Sequence, residues 1–272
     1  MTKILFSDLD ETLLVNHHVP EINRKAISKM VEKGHKFVPC TGRAFFMIDD
    51  ILDETGLTNK ENEYSICFNG GMILENKDAK VLYYKGLSYD KTVAIFEKGM
   101  SVNLSIMVFT ENECHIFMPE ETELKRKTSQ HVSVILHDDY NVSILKNRRI
   151  AKVLIINPEG LEALQALYDT FDDSFKNNYE ITFSSNRYME FNEIGVSKGD
   201  AVRFLADYLN IPIENTIAIG DNYNDEEMIK AAHIGCVVKS GVEDVKKIAQ
   251  YVCEKDYMDG SVAEVIERFV LK

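Results

Sequence analysis

A chain of 272 residues, 45% apolar and 28% charged, with 5 prolines and 14 glycines, is long enough for two domains and too ordinary in composition to be disordered or fibrous. Its 44 acidic against 31 basic residues give a formal charge of -13, which sets it against nucleic acid and anionic membranes, and no long basic run offsets this. Five cysteines, at 40, 67, 114, 236 and 253, form no C-x-x-C pair and fit reduced, buried thiols of the cytoplasm. The N-terminus reaches Asp8 and Asp10 too soon for a signal h-region, and no apolar run is long enough to span a bilayer.

In chain order, residues 3 to 7 form a short apolar run that ends in Asp8-Leu9-Asp10, as a buried parallel strand does when it delivers polar residues at its carboxyl end. Apolar residues at 22, 26, 27, 30 and 31 predict a helix over 21–33 stopped by Gly34. A strand over 35–39 then ends in Cys40-Thr41-Gly42-Arg43. An amphipathic stretch over 44–57 leads to a third strand at 64–68, closed by Asn69-Gly70-Gly71. This alternation predicts a doubly wound α/β core with a parallel sheet. Between about 86 and 187 the rhythm changes to an α+β insert, with strands at 103–109, 115–118, 151–156 and 180–183 and helices at 89–100 and 161–171. Residues 120–149 carry the weakest pattern. From 197 the core rhythm resumes with a helix at 201–209 and strands at 216–219, 234–238 and 250–252. The expected division is 1–84 with 190–272 as core and 85–189 as an inserted cap.

Ligands of an open parallel sheet sit outside the carboxyl ends of its strands. The residues delivered there are Asp8, Asp10 and Thr12 from the first strand, Thr41, Gly42 and Arg43 from the second, Lys198 at a helix start, and Asp221, Asn224 and Asp225 after the strand at 216–219. Four carboxylates converging on one point cannot all stay ionised without a cation, and an all-oxygen site suits Mg²⁺. Taken singly, these residues also have plain readings. A D-x-D is common by chance, Thr41 can cap a helix, and Asp225-Glu226-Glu227 matches a helix dipole. The pair His17-His18 reads as incidental, because adjacent side chains diverge. The runs 125–127 and 146–149 read as solvated basic faces, and Cys40 as a core thiol without a base.

Asp8-Leu9-Asp10-Glu11-Thr12-Leu13-Leu14, Thr41-Gly42-Arg43, Ser197-Lys198-Gly199 and Gly220-Asp221-Asn222-Tyr223-Asn224-Asp225 resemble, in order and spacing, the four motifs of the haloacid dehalogenase superfamily. The match extends to its Cof-type phosphatases through Phe68-Asn69-Gly70-Gly71, Met189-Glu190-Phe191 and the tail from Asp259. The resemblance implies a Mg²⁺-dependent hydrolase of a small phosphorylated metabolite, such as a sugar, nucleotide or coenzyme phosphate. Asp8 is then the nucleophile, Asp10 the general acid-base, Thr41 and Lys198 the groups that hold the phosphoryl oxygens, and the insert the cap that selects substrate. Thr12, Gly42, Arg43 and Asn224 are expected near the phosphate, and Asp8, the Asp10 carbonyl, Asp221, Asn224 and Asp225 near the metal. Two positions depart from the pattern: Glu11 and Asn222 stand where glycine is usual. Glu11 is expected to point away, and Asn222 to tolerate a left-handed turn. Rival readings are a phosphosugar mutase on the same core, a receiver module and a degenerate phosphate-binding homologue. A receiver puts its phosphoacceptor on the third strand, whereas here the third strand ends in Asn69.

Overall fold

The computed structural model describes residues 1–129 and 132–272. The chain divides into two compact units, Met1–Tyr84 with Ser197–Lys272, and Lys85–Val196. Along the first unit run β1 (Ile4–Ser7), α1 (Glu21–Glu32), β2 (Lys36–Pro39), α2 (Asp49–Thr55), β3 (Tyr64–Cys67), β4 (Met72–Glu75) and β5 (Lys80–Tyr84). The second unit holds α3 (Tyr89–Ser101), β6 (Ser105–Thr110), β7 (Cys114–Phe117), α4 (Glu121–Ser129), β8 (Ile135–His137), β9 (Ile150–Ile156), α5 (Leu161–Asp169), α6 (Asp173–Lys176), β10 (Glu180–Ser184) and β11 (Tyr188–Asn192). The chain returns to the first unit with α7 (Lys198–Tyr208), β12 (Thr216–Gly220), α8 (Glu226–Ala231), β13 (Ile234–Val237), α9 (Glu243–Ile248), β14 (Tyr251–Val252) and α10 (Ser261–Val265).

The first unit is built on a five-stranded parallel sheet in the order β14-β13-β12-β1-β2. Every residue of β1 and β12 is buried, which is why both read as unbroken apolar runs rather than alternating ones. On one face Ile4, Phe6, Val38 and Ala218 pack with Ala201, Val202 and Leu205 of α7 and Met228 of α8. The chain leaves β1 toward β2 on one side, while β12 pairs with β1 on the other and leads on to β13. The crevice beyond the carboxyl ends of β1 and β12 is therefore the topological switch point of the sheet.

The third strand departs from the expectation. β3 meets the parallel sheet through a single bridge, Cys40 to Ile66, and otherwise pairs antiparallel with β4 in a separate sheet, β3-β4-β5. The tight turn at residues 68–71 folds the chain straight back, so the hairpin competes for the strand that a crossover helix would have kept in the main sheet.

The second unit has a six-stranded sheet, β10-β11-β9-β6-β7-β8, antiparallel except for β7 with β8. One of its faces, with Ile106, Val108, Phe117, Val153, Ile155, Met189 and Phe191, packs on Ile95 and Phe96 of α3, Leu164 of α5 and Phe175 of α6. Met189-Glu190-Phe191 thus lies inside this sheet, and the unit runs to Val196, beyond the residue 189 at which the sequence placed its end. The run 125–127 is not a uniformly solvated face. Lys125 is exposed and pairs with Glu121, but Lys127 is buried and pairs at 3.4 Å with the fully buried Glu123. Among the described residues, no helix is long and apolar enough to cross a membrane.

Candidate active site

β1 carries its register one residue past its end: the Asp8 N–H donates to the Ile219 carbonyl at 3.0 Å, and the Ser7 hydroxyl donates to the Asp8 carbonyl at 2.8 Å. Asp8 is buried at the switch point, whereas the side chain of Asp10 is 57% exposed. The chain then turns tightly, with the Thr12, Leu13 and Leu14 N–H groups all donating to the Leu9 carbonyl. Glu11 makes that turn with φ of +57°, a left-handed conformation that costs a non-glycine residue about 1–2 kcal/mol. This accounts for glycine being usual at the position. Glu11 is exposed, yet its charge reaches the site, because it disfavours ionisation of Asp221.

The structure turns the Thr12 side chain to a carboxylate. It is fully buried, and its hydroxyl donates to Asp221 Oδ1 at 3.0 Å, so it orients that carboxylate. At the end of β2 the Thr41 N–H donates to the Ile66 carbonyl at 2.9 Å, and its hydroxyl oxygen accepts the Arg43 N–H at 3.1 Å. Arg43 turns back on Asp10 with a two-pronged guanidinium contact, its Nε donating to Oδ2 at 3.0 Å and its Nη2 to Oδ1. Such a fork fixes the plane of the carboxylate.

Lys198 is the first residue of α7, behind the Ser197 cap whose Oγ accepts the Asp200 N–H. A cation there opposes the helix dipole. It is held because Lys198 Nζ donates to Asp8 Oδ1 and to Asp225 Oδ1, each at 2.6 Å, with all three side chains buried. The other oxygen of Asp225 accepts the N–H groups of Asp221 at 3.0 Å and Asn222 at 3.3 Å. This arrangement requires Gly220, since a Cβ there would stand 2.5 Å from the Asp225 carboxylate. Asn222 is extended, with φ of -133° and ψ of 176°, and caps the next turn by accepting the Tyr223 N–H. The expected left-handed role therefore falls to Glu11 and not to Asn222. Asn224 lies in that exposed turn, and among the described residues its side chain makes no hydrogen bond.

Oxygen atoms of Asp8, Asp221 and Asp225 lie within 4.8 Å of one another. Burial, partly countered by Lys198 and reinforced by Asp225 and Asp221, pushes the Asp8 carboxyl from 3.8 up to about 7. Burial, then the charge of Asp225, pushes Asp221 up to about 6 against the Thr12 hydrogen bond. Burial works against the Lys198 ammonium, but Asp8 and Asp225 outweigh it and hold the amine well above its ordinary value. Three buried carboxylates with one ammonium among them leave negative charge to be balanced, and hard oxygen donors fit a divalent cation such as Mg²⁺. The expected donors therefore fit for Asp8, Asp221 and Asp225. Cys40 is buried, and burial raises its thiol far above the reactive range.

The signs of these shifts yield a test. Both carboxyls titrate higher folded than unfolded, so their contribution to stability is complete below about 4 and is lost as pH rises through about 6 to 7. A cation that binds the ionised forms restores it. Mg²⁺ at about 100 times its dissociation constant adds about 2.7 kcal/mol. Thermal unfolding should accordingly show a larger Mg²⁺-induced rise in Tm at pH 8 than at pH 5. Equal rises at both values would contradict the site.

Comparison with known proteins agrees with this geometry. The family described as haloacid dehalogenase-like hydrolase matches residues 5–266. The YxeH protein of Bacillus subtilis (strain 168) is 28% identical over 272 residues, covering 100% of this chain and 99% of that one. The 5-amino-6-(5-phospho-D-ribitylamino)uracil phosphatase YcsE of the same organism is 26% identical over 270 residues, covering 99% and 96%. A haloacid dehalogenase-like hydrolase from Bacteroides thetaiotaomicron shares the fold with a TM-score of 0.88 at 24% identity, over 98% of this chain and 99% of that one. The parallel core, the four motifs in order and a family match over residues 5–266 lead to one conclusion: the chain belongs to the haloacid dehalogenase-like hydrolases.

Proposed function

We propose that this hydrolase is a Mg²⁺-dependent phosphatase that cleaves a small phosphorylated metabolite through an aspartyl-phosphate. The observation that carries the reading is the buried Asp8–Lys198–Asp225 chain at the switch point, with contacts of 2.6 Å on both sides of the ammonium. Lys198 occupies Asp8 Oδ1 and leaves Oδ2 without that contact. Oδ2 attacks phosphorus in line, the bond from phosphorus to the ester oxygen breaks, and Asp10 delivers a proton to the leaving alcohol. Water then attacks the aspartyl-phosphate and gives its proton to Asp10, which releases inorganic phosphate and regenerates both carboxyl groups. A positioned acid-base group of this kind is worth about 10² to 10⁴ in rate.

The Arg43 fork takes both oxygens of Asp10 and must open for Asp10 to carry the proton, and the Lys198 ammonium and Thr41 hydroxyl stabilise charge on the phosphoryl oxygens. Gly42 supplies room and a main-chain N–H beside them. Asp8, Asp221, Asp225, the Asp10 carbonyl and Asn224 are the groups assigned to Mg²⁺, which when bound supplies Lewis-acid neutralisation of the phosphoryl charge. The family resemblance assigns substrate choice to the inserted unit, Lys85–Val196. The name of YcsE, a phosphatase of a phosphorylated ribitylamino-uracil, supports a nucleotide or coenzyme phosphate alongside sugar phosphates as the class. Five buried free cysteines support a reducing compartment, the cytoplasm.

The test is inorganic phosphate release from a panel of phosphomonoesters. Activity should fall to background with EDTA and return with added Mg²⁺. Turnover that ignores chelation rules out the metal role, and no release from any monoester rules out the phosphatase.

A further inference from the structure

The side-chain amide of Asn69 lies against the Thr41–Arg43 loop without a hydrogen-bond partner among the described residues. The turn after β3 clasps residues 41–43 from one side: the Asn69 N–H donates to the Thr41 carbonyl at 2.9 Å and the Phe68 N–H to the Arg43 carbonyl at 3.1 Å. The Asn69 carboxamide lies over Gly42, where a Cβ would stand 3.1 Å from Oδ1 and 3.3 Å from Nδ2. Its Oδ1 is enclosed and has no hydrogen-bond partner among the described residues. Among the described residues, Nδ2 makes none either, and Nδ2 is not enclosed in the same way. Rotating the amide exchanges the two atoms, so either can take the enclosed position.

The backbone there is also costly. Phe68, Asn69 and Gly70 take successive φ values of +51°, +55° and +101°, and a bulky residue in that region is an outlier. Gly70 is required because a Cβ on it would fall 2.2 Å from the Ser197 carbonyl, next to Lys198. Strain and an unsatisfied amide thus sit between the Thr41 loop and the start of the lysine helix. Native structures retain such features where the group has work to do.

We propose that Asn69 is a substrate-binding residue, whose side-chain amide donates a hydrogen bond to the phosphoryl oxyanion held by the Thr41–Arg43 loop. The assignment rests on the phosphatase reading above. It deepens that reading by adding a neutral donor over Gly42 to the charged groups assigned to the phosphoryl oxygens, and a hydrogen bond to a charged oxygen is worth about 10- to 100-fold in affinity.

Two variants test it, Asn69→Gly and Asn69→Asp, with orthophosphate binding in the presence of Mg²⁺ measured by titration calorimetry and p-nitrophenyl phosphate as the substrate. Glycine accepts the left-handed backbone, so Asn69→Gly should keep its Tm while the orthophosphate dissociation constant and the KM rise about 10- to 100-fold. Asn69→Asp keeps shape but faces the anion with a carboxylate, and should bind orthophosphate more weakly still. Orthophosphate affinity within about twofold of the original in either folded variant overturns the proposal, as does absence of orthophosphate binding by the unaltered protein. If the unaltered protein hydrolyses monoesters while Asn69→Gly binds orthophosphate normally, the proposal alone fails. If no monoester is hydrolysed but orthophosphate binding depends on Asn69, the phosphatase reading fails and the assignment of Asn69 stands.

Discussion

Asp8→Asn should yield a folded protein whose phosphomonoester turnover is lower by about 10⁴-fold or more. The amide keeps the volume of the carboxylate, and its oxygen can still accept from Lys198 Nζ, so the buried chain to Asp225 persists. What disappears is the nucleophile of the proposed mechanism and one of three carboxylates crowded within 4.8 Å. The lost repulsion predicts a metal-free Tm at pH 8 no lower than that of the unaltered protein, since burial already drives the Asp8 carboxyl up to about 7. Stability and catalysis therefore move in different directions for one substitution. Phosphate release and thermal unfolding on the same preparation check this, and a folded variant that retains turnover would remove Asp8 from the mechanism.

The parts of this molecule legible in the sequence are those where burial and chemistry leave a periodic or abrupt signal. β1 and β12 are buried on both faces and end in aspartates, so an apolar run followed by Asp8 or Asp221 marks the edge of the sheet and the site together. The resemblance supplied roles that spacing alone could not. The partner of Thr12 was not legible: the turn that returns three N–H groups to the Leu9 carbonyl brings its hydroxyl onto Asp221.

Tertiary pairing hides other features. β3 has the composition of a parallel strand, and only the hairpin at residues 68–71 removes it to a separate sheet. Glu123 and Lys127 look solvated because each is charged, yet they stand one helical turn apart and are buried together in the second unit. Backbone conformation is hidden as well. Asn222 is the better left-handed residue by type and is extended, whereas Glu11 is the poorer one and is left-handed.

Lys198→Met should be the most destabilising single change at the site, and its cost should depend on pH. The ammonium is enclosed and contacts Asp8 and Asp225 at 2.6 Å each. A methionine fills much the same space but leaves those carboxylates and Asp221 with no cation, and removing one partner of a buried pair costs about 3–5 kcal/mol. The loss should be fullest at pH 8. The ammonium is what holds the Asp8 carboxyl down against burial, so without it Asp8 binds its proton more tightly in the folded state than in the unfolded one. A carboxyl raised in this way contributes stability at low pH and loses it as pH rises, and the deficit of the variant should shrink between pH 8 and pH 5. Urea unfolding in EDTA at both values reads this out, and added Mg²⁺ should recover part of the loss at pH 8 by returning positive charge to the cluster. Turnover should not return with stability, because the ammonium that the proposed mechanism sets against the phosphoryl oxygens is still missing. An equal deficit at pH 5 and pH 8 would mean that Lys198 acts through packing alone, and the electrostatic account of this site would have to be abandoned.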